Sequence, residues 1–139
     1  MKQKIIAAIF GLMVMANAAI PNITSANSYC QWWVEMDEFI GNVGETVGLS
    51  KSNVRYLMDE GYSPRDIATA GILVLDNAAK ERASVTNNKG SLYAVTQILV
   101  MKNKDNSWND VSKSLNIPAE NFKHDMEKVD KLIRKEPKL

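Results

Sequence analysis

From Trp32 to Ile133 the apolar residues recur three and four positions apart, and no stretch alternates apolar with polar between tight turns. That periodicity places one side of a helix against a core, so the chain is predicted to be all-α. With 139 residues, 45% of them hydrophobic and 24% charged, the material suffices for one small domain and excludes a large multidomain enzyme. Seven Gly and four Pro are too few for a collagen-like or low-complexity chain. The expected architecture is a small bundle of five or six short helices, with a hint of two related helical hairpins.

The first helix is expected to begin near Gln31. Trp32, Trp33, Met36, Phe39, Ile40, Val43 and Val47 form one broad apolar stripe suited to packing. Gly41, Gly44 and Gly48 each weaken a helix interior by roughly 1 kcal/mol relative to Ala, which predicts an end around Val43. Close backbone approach to a neighbour is the other reason for glycine there. A second helix starts at the Ser50 cap, turns Val54, Leu57 and Met58 inward and stops at Gly61. Ser63-Pro64-Arg65-Asp66 is a sharp helix start, with a hydroxyl cap, proline at the first helical position and an acid in the first turn. The helix after it carries Ile67, Ala70, Gly71, Val74 and Leu75, small enough to sit centrally. Thr86 to Gly90 reads as a loop, and a fourth helix runs on from Ser91 with Leu92, Val95, Ile98, Leu99 and Met101 apolar.

Ser107-Trp108-Asn109-Asp110 repeats the cap pattern 44 positions after Ser63-Pro64-Arg65-Asp66. In that register Val111 matches Ile67, and Ile98 and Met101 match Val54 and Leu57, as in a duplicated helical hairpin; Leu115 falling on Gly71 ends the match. The last helix runs from Ala119 through Phe122, Met126, Val129, Leu132 and Ile133. Its other side, from Glu120 to Lys135, alternates acids and bases like a solvated face.

Ahead of this body stand Lys2 and Lys4, an apolar run from Ile5 to Met15, and the small triplet Ala16-Asn17-Ala18. These are the parts of a secretory signal peptide, residues 1–18, cut after Ala18 or, as a second choice, after Ala26. An uncleaved anchor would leave the body on the same side of the membrane, because the lysines hold the N-terminus inside. The expected location is therefore periplasmic or extracellular. Residues 19–29 are expected to be a disordered lead-in, 30–135 a single helical domain and 136–139 a tail. Cleavage removes two of 17 basic residues and none of 16 acids, leaving a mature charge of −1. No nucleic-acid partner is implied, and membrane contact is expected only through a retained signal segment. Cys30, the only cysteine, forms no intramolecular disulfide and is expected to be a small buried hydrophobe beside Tyr29, Trp32 and Trp33.

Few groups are present that could converge on chemistry. His124 is the only histidine, so a zinc site would need ligands the spacing does not offer. No nucleophile elbow, phosphate loop or dinucleotide fingerprint occurs. Glu35, Asp37, Glu38, Asp59, Glu60 and Asp66 are available to a carboxylate pair, yet exposed acids are their default reading. The chain is read as a non-enzyme without cofactor or metal. Its candidate binding residues are Trp108, Trp32 and Trp33, the last two as an exposed ring platform if they are not core. The expected partner is an envelope protein or a glycan.

Asp110 to Phe122, closing at Met126, resembles a DNA-binding helix-turn-helix, with Val111, Leu115, Ile117, Phe122 and Met126 at its apolar positions and Asn116 where the turn usually has Gly. Such a reader would present Ala119, Glu120, Lys123 and His124 to DNA; Glu120 and Asp125 would repel phosphate, and export removes the substrate. The same stretch is similar to the centre of a LysM module, with Asp105, Trp108, Val111, Leu115, Asn116, Ile117 and Phe122 in place. That resemblance implies peptidoglycan or chitin binding, in a family that flanks its two helices with strands. The mature chain is also similar to small exported helical proteins of unknown function, through Gly61-Tyr62-Ser63-Pro64-Arg65-Asp66-Ile67 and Trp108-Asn109-Asp110-Val111. This resemblance implies an architecture and no active site.

Overall fold

The computed structural model describes residues 21–81, 88–103 and 105–138, with side chains over 28–77, 92–103 and 105–138. The expected signal peptide lies outside the described residues. Among the described residues six helices succeed one another: α1 (Pro21–Val47), α2 (Lys51–Asp59), α3 (Pro64–Glu81), α4 (Asn88–Lys102), α5 (Trp108–Ser114) and α6 (Ala119–Ile133). No strand occurs among the described residues, so the chain is an all-helical small bundle. The chain divides into two compact units, residues 1–37 with 137–139 and residues 38–136, the division falling inside α1.

Three boundaries differ from the expected ones. α1 opens at Pro21 and not near Gln31. It also runs to Val47, past the expected end at Val43, because Gly44 serves a close approach. A side chain there would stand 2.6 Å from the Leu49 carbonyl oxygen as the chain turns back. α4 begins at Asn88, three residues inside the stretch expected to be a loop.

One local device recurs at four corners among the described residues. A residue in the left-handed region is followed by one spacer and then by the N-cap of the next helix. Gly48-Leu49-Ser50, Gly61-Tyr62-Ser63, Asp105-Asn106-Ser107 and Asn116-Ile117-Pro118 all fit it, with φ of 73°, 98°, 63° and 55° at the first residue. In three of them the spacer's amide donates to a carbonyl five residues back: Leu49 to Gly44 at 2.8 Å, Tyr62 to Leu57 at 3.1 Å, Ile117 to Ser112 at 2.9 Å. This is the Schellman closure, which satisfies carbonyls the helix leaves unpaired. At the remaining corner, the third in chain order, the Asn106 side chain spans the same five residues, its Nδ2 donating to the Met101 carbonyl at 2.9 Å.

The 44-residue repeat is visible in atoms at the second and third corners. The Ser63 hydroxyl accepts from the Asp66 amide at 3.1 Å and donates to the Asp66 carboxylate at 2.9 Å. Ser107 does the same with Asp110 at 3.1 and 2.7 Å, and the Ser107 amide adds a bond to that carboxylate at 3.0 Å, completing a capping box. The hydroxyl and amide of Ser107 together hold the Asp110 carboxyl below its usual range. Similarity ends further on: α3 continues for 18 residues, whereas α5 stops after 7. Ser107→Ala should therefore destabilise the protein by about 1 kcal/mol, the usual worth of such a cap. A urea titration showing no shift of the midpoint would contradict this.

α3 is the central element of the larger unit, packing against α2, α4 and α6, while α5 bridges α4 and α6. It can be approached from several sides because Ala68, Thr69, Ala70 and Gly71 are small and buried. Around it close Val54 and Leu57 of α2, Val95 and Leu99 of α4, Val111 of α5 and Val129 of α6, all 1% exposed or less. Each aliphatic side chain of this size gains about 1.5–3 kcal/mol on leaving water. The larger unit therefore rests on this apolar core, as its periodicity predicts.

Candidate functional site

Trp108 opens α5 and is half-buried. Its indole N–H donates to the Asp66 carboxylate at 3.3 Å, and the Lys102 ammonium lies 6.0 Å from its ring centre. The Asn103 amide reaches the Tyr62 hydroxyl at 3.3 Å beside it. The two repeated corners are thus cross-linked, the cap acid of the first receiving the tryptophan of the second. Trp108 is engaged in structure on its polar edge and on one face, and the described residues hold no strand of the kind that flanks a LysM pair.

Trp32 and Trp33 behave differently. With Tyr29 they occupy positions i, i+3 and i+4, which lie on one side of a helix. The rings form a three-way cluster: Tyr29 stacks on Trp32 at 6.3 Å between centres, and Trp33 meets Tyr29 and Trp32 edge-on at 6.0 and 5.0 Å. Such contacts are worth about 0.5–1.5 kcal/mol per pair beyond burial, so the cluster is held in shape. It is not core. Trp33 is 53% exposed, Tyr29 46% and the neighbouring Val34 68%. Trp32 is half-buried, its indole N–H out of contact with water and without a hydrogen-bond acceptor. Cys30, expected to be buried here, is exposed. It lies outside the 29, 32, 33 helical side, which accounts for the difference.

His124 projects from α6 into solvent, 3.9 Å from Glu127, and no group of three potential metal ligands occurs among the described residues. Of the acids considered for a carboxylate pair, Asp66 is occupied by Ser63 and Trp108.

The pair that does form was not among them. Asp125 of α6 is 5% exposed and faces Asp76 of α3. Burial, then hydrogen bonding to Asp76 and the charge of Asp76, push its carboxyl up to about 6, against a smaller opposing pull from Lys128, 3.5 Å away. Asp76 and Asp125 line a cavity of about 300 Å³ with Thr46 of α1, Ile72 and Leu75 of α3, and Lys128 of α6. One signal was available: Asp125, Val129 and Leu132 share the three-and-four spacing of the buried side of α6.

Comparison with protein-family models, with curated proteins and with solved structures finds no match for this chain.

Proposed function

We propose that this is an exported, non-catalytic protein of the cell envelope that acts by docking, with the aromatic side of α1 as its contact surface and an envelope protein as its partner. The observation that carries this reading is the Tyr29, Trp32 and Trp33 cluster, pre-ordered by its own ring contacts and left substantially exposed beside Val34. Exposed aromatic patches are characteristic of interaction sites, because large rigid rings bury much area at little entropic cost. Export supports the same reading through Lys2, Lys4 and the apolar run from Ile5 to Met15.

A photoreactive side chain placed at position 33 should form a discrete adduct with an envelope protein in intact cells. The same group at position 93 on α4, where Tyr93 is 69% exposed, should not. Equal adducts from both positions, or none from position 33, overturn the docking surface. Recovery of the full-length chain from cytosol overturns export.

A further inference from the structure

We propose that the cavity between α1, α3 and α6 is a binding site for a primary alkylammonium group, held by Asp76 and Asp125. Both carboxylates line the cavity, and each has a buried Oδ2 with no donor in reach apart from a proton shared with the facing carboxyl. Two unsatisfied acceptors at one site call for a donor, since a buried acceptor left unpaired costs about 1–3 kcal/mol. Lys128 does not meet the need: its ammonium is 3.5 Å from the other oxygen of Asp125, and its side chain is 52% exposed. Thr46 donates its hydroxyl proton to the Asn42 carbonyl at 2.8 Å, which leaves its oxygen lone pairs to accept. The cavity thus offers three oxygen acceptors, matching the three N–H donors of R–NH3+. Ile72 and Leu75 supply apolar wall for the attached methylenes. A bare divalent cation fits less well, because it would want more oxygens than two carboxylates and a hydroxyl supply, and would leave the aliphatic wall unused.

A proton competes for the same place. The charged groups acting on Asp125 are Asp76 from α3 and Lys128 from its own helix, while α1 contributes the neutral Thr46. When the two carboxyls share a proton their unpaired oxygens are satisfied by each other; when it leaves, an ammonium can bridge them. Binding should therefore weaken by about tenfold for each pH unit below the Asp125 titration. Two sources supply an alkylammonium: a free diamine, or the lysine side chain of another protein. Beyond its methylenes the first carries a second amine and the second a peptide backbone, and this difference separates them.

The test is a titration of the ¹⁵N-labelled protein, monitored by amide resonances, with 1,5-diaminopentane, with a lysine blocked at both backbone ends, and with calcium chloride. Ionic strength is matched with sodium chloride, and the titrations are run well above and well below the Asp125 titration. Saturable shifts centred on Thr46, Asp76, Asp125 and Lys128 with either amine, tenfold or more weaker on the acid side, are expected; the tighter amine assigns the source. Asp125→Asn, which keeps the shape of the side chain, should weaken binding at least tenfold while leaving the spectrum elsewhere intact. Shifts with calcium and none with the amines, no saturable response at all, or an unchanged response in Asp125→Asn would each overturn the site. None of these outcomes touches the docking surface on α1.

Discussion

Gly71→Ala is expected to destabilise the protein by about 3 kcal/mol or more, the upper range for forcing atoms into a filled core. A side chain at position 71 would run into the Cβ of Val47 and stand 2.7 Å from its Cγ1 and 3.0 Å from its Cγ2. The Cγ atoms can rotate about χ1, but a Cβ is fixed to its backbone, so α3 and the end of α1 would have to separate. For a unit of about 100 residues each kcal/mol lowers Tm by roughly 4–8 °C, which predicts a fall of about 12 °C or more. Gly41→Ala is the matched control. Its nearest neighbour is the Lys51 Cε at 3.1 Å, on a flexible side chain that can move, and alanine gains helix propensity. It should be neutral or slightly stabilising. Moving the glycine across the contact, as Gly71→Ala with Val47→Gly, should recover part of the loss that the two single variants sum to. Thermal unfolding of the parent and these four variants checks this; a Gly71→Ala variant that melts with the parent would mean that α1 and α3 do not touch there.

That contact shows where sequence reasoning reaches and where it stops. Glycines at 41, 44 and 48 lower local helix propensity, and local propensity alone ends α1 near Val43. In the fold Gly44 admits the Leu49 carbonyl and Gly48 takes the left-handed turn, so the helix continues to Val47 because tertiary packing overrides the local preference. The corners were legible for the opposite reason. Ser50, Ser63 and Ser107 act on amides three residues away, within the reach of a sequence motif, and all three cap the helices they were expected to cap. Functional residues divide the same way. Trp33 carries no mark in the sequence that separates exposed from core, since an apolar stripe reads alike whether or not a neighbour covers it. Asp125 was hidden by its type: an acid between Lys123 and Lys128 reads as solvated, although its spacing to Val129 and Leu132 puts it on the buried side. Its partner Asp76 lies 49 residues away, and only the crossing of α3 with α6 brings them together.

Asp125→Asn should stabilise the protein near neutral pH and make no difference in acid. The carboxyl titrates at 3.8 when unperturbed and at about 6 in the fold, so between these values the folded state holds a proton that the unfolded state has released. Stability contributed by this group is fully present below the unfolded value and is lost as pH rises through the folded one. Above that, the fold carries an ionised, buried carboxylate against Asp76, with Lys128 compensating only in part. Taking about 1.4 kcal/mol per pH unit, the penalty is on the order of 2–3 kcal/mol. Asparagine is neutral throughout and can donate its amide to Asp76, so it should remove that penalty. Urea unfolding of parent and variant across the acid-to-neutral range would then give two curves that coincide near pH 4 and diverge toward neutrality, the variant being the more stable. A variant equal to or weaker than its parent at neutral pH would show that Asp125 is ionised at little cost, and hence that water or Lys128 already satisfies it. In that case the pair would have no vacancy for an ammonium to fill, so the stability curve and the amine titration test the same two oxygens by independent routes.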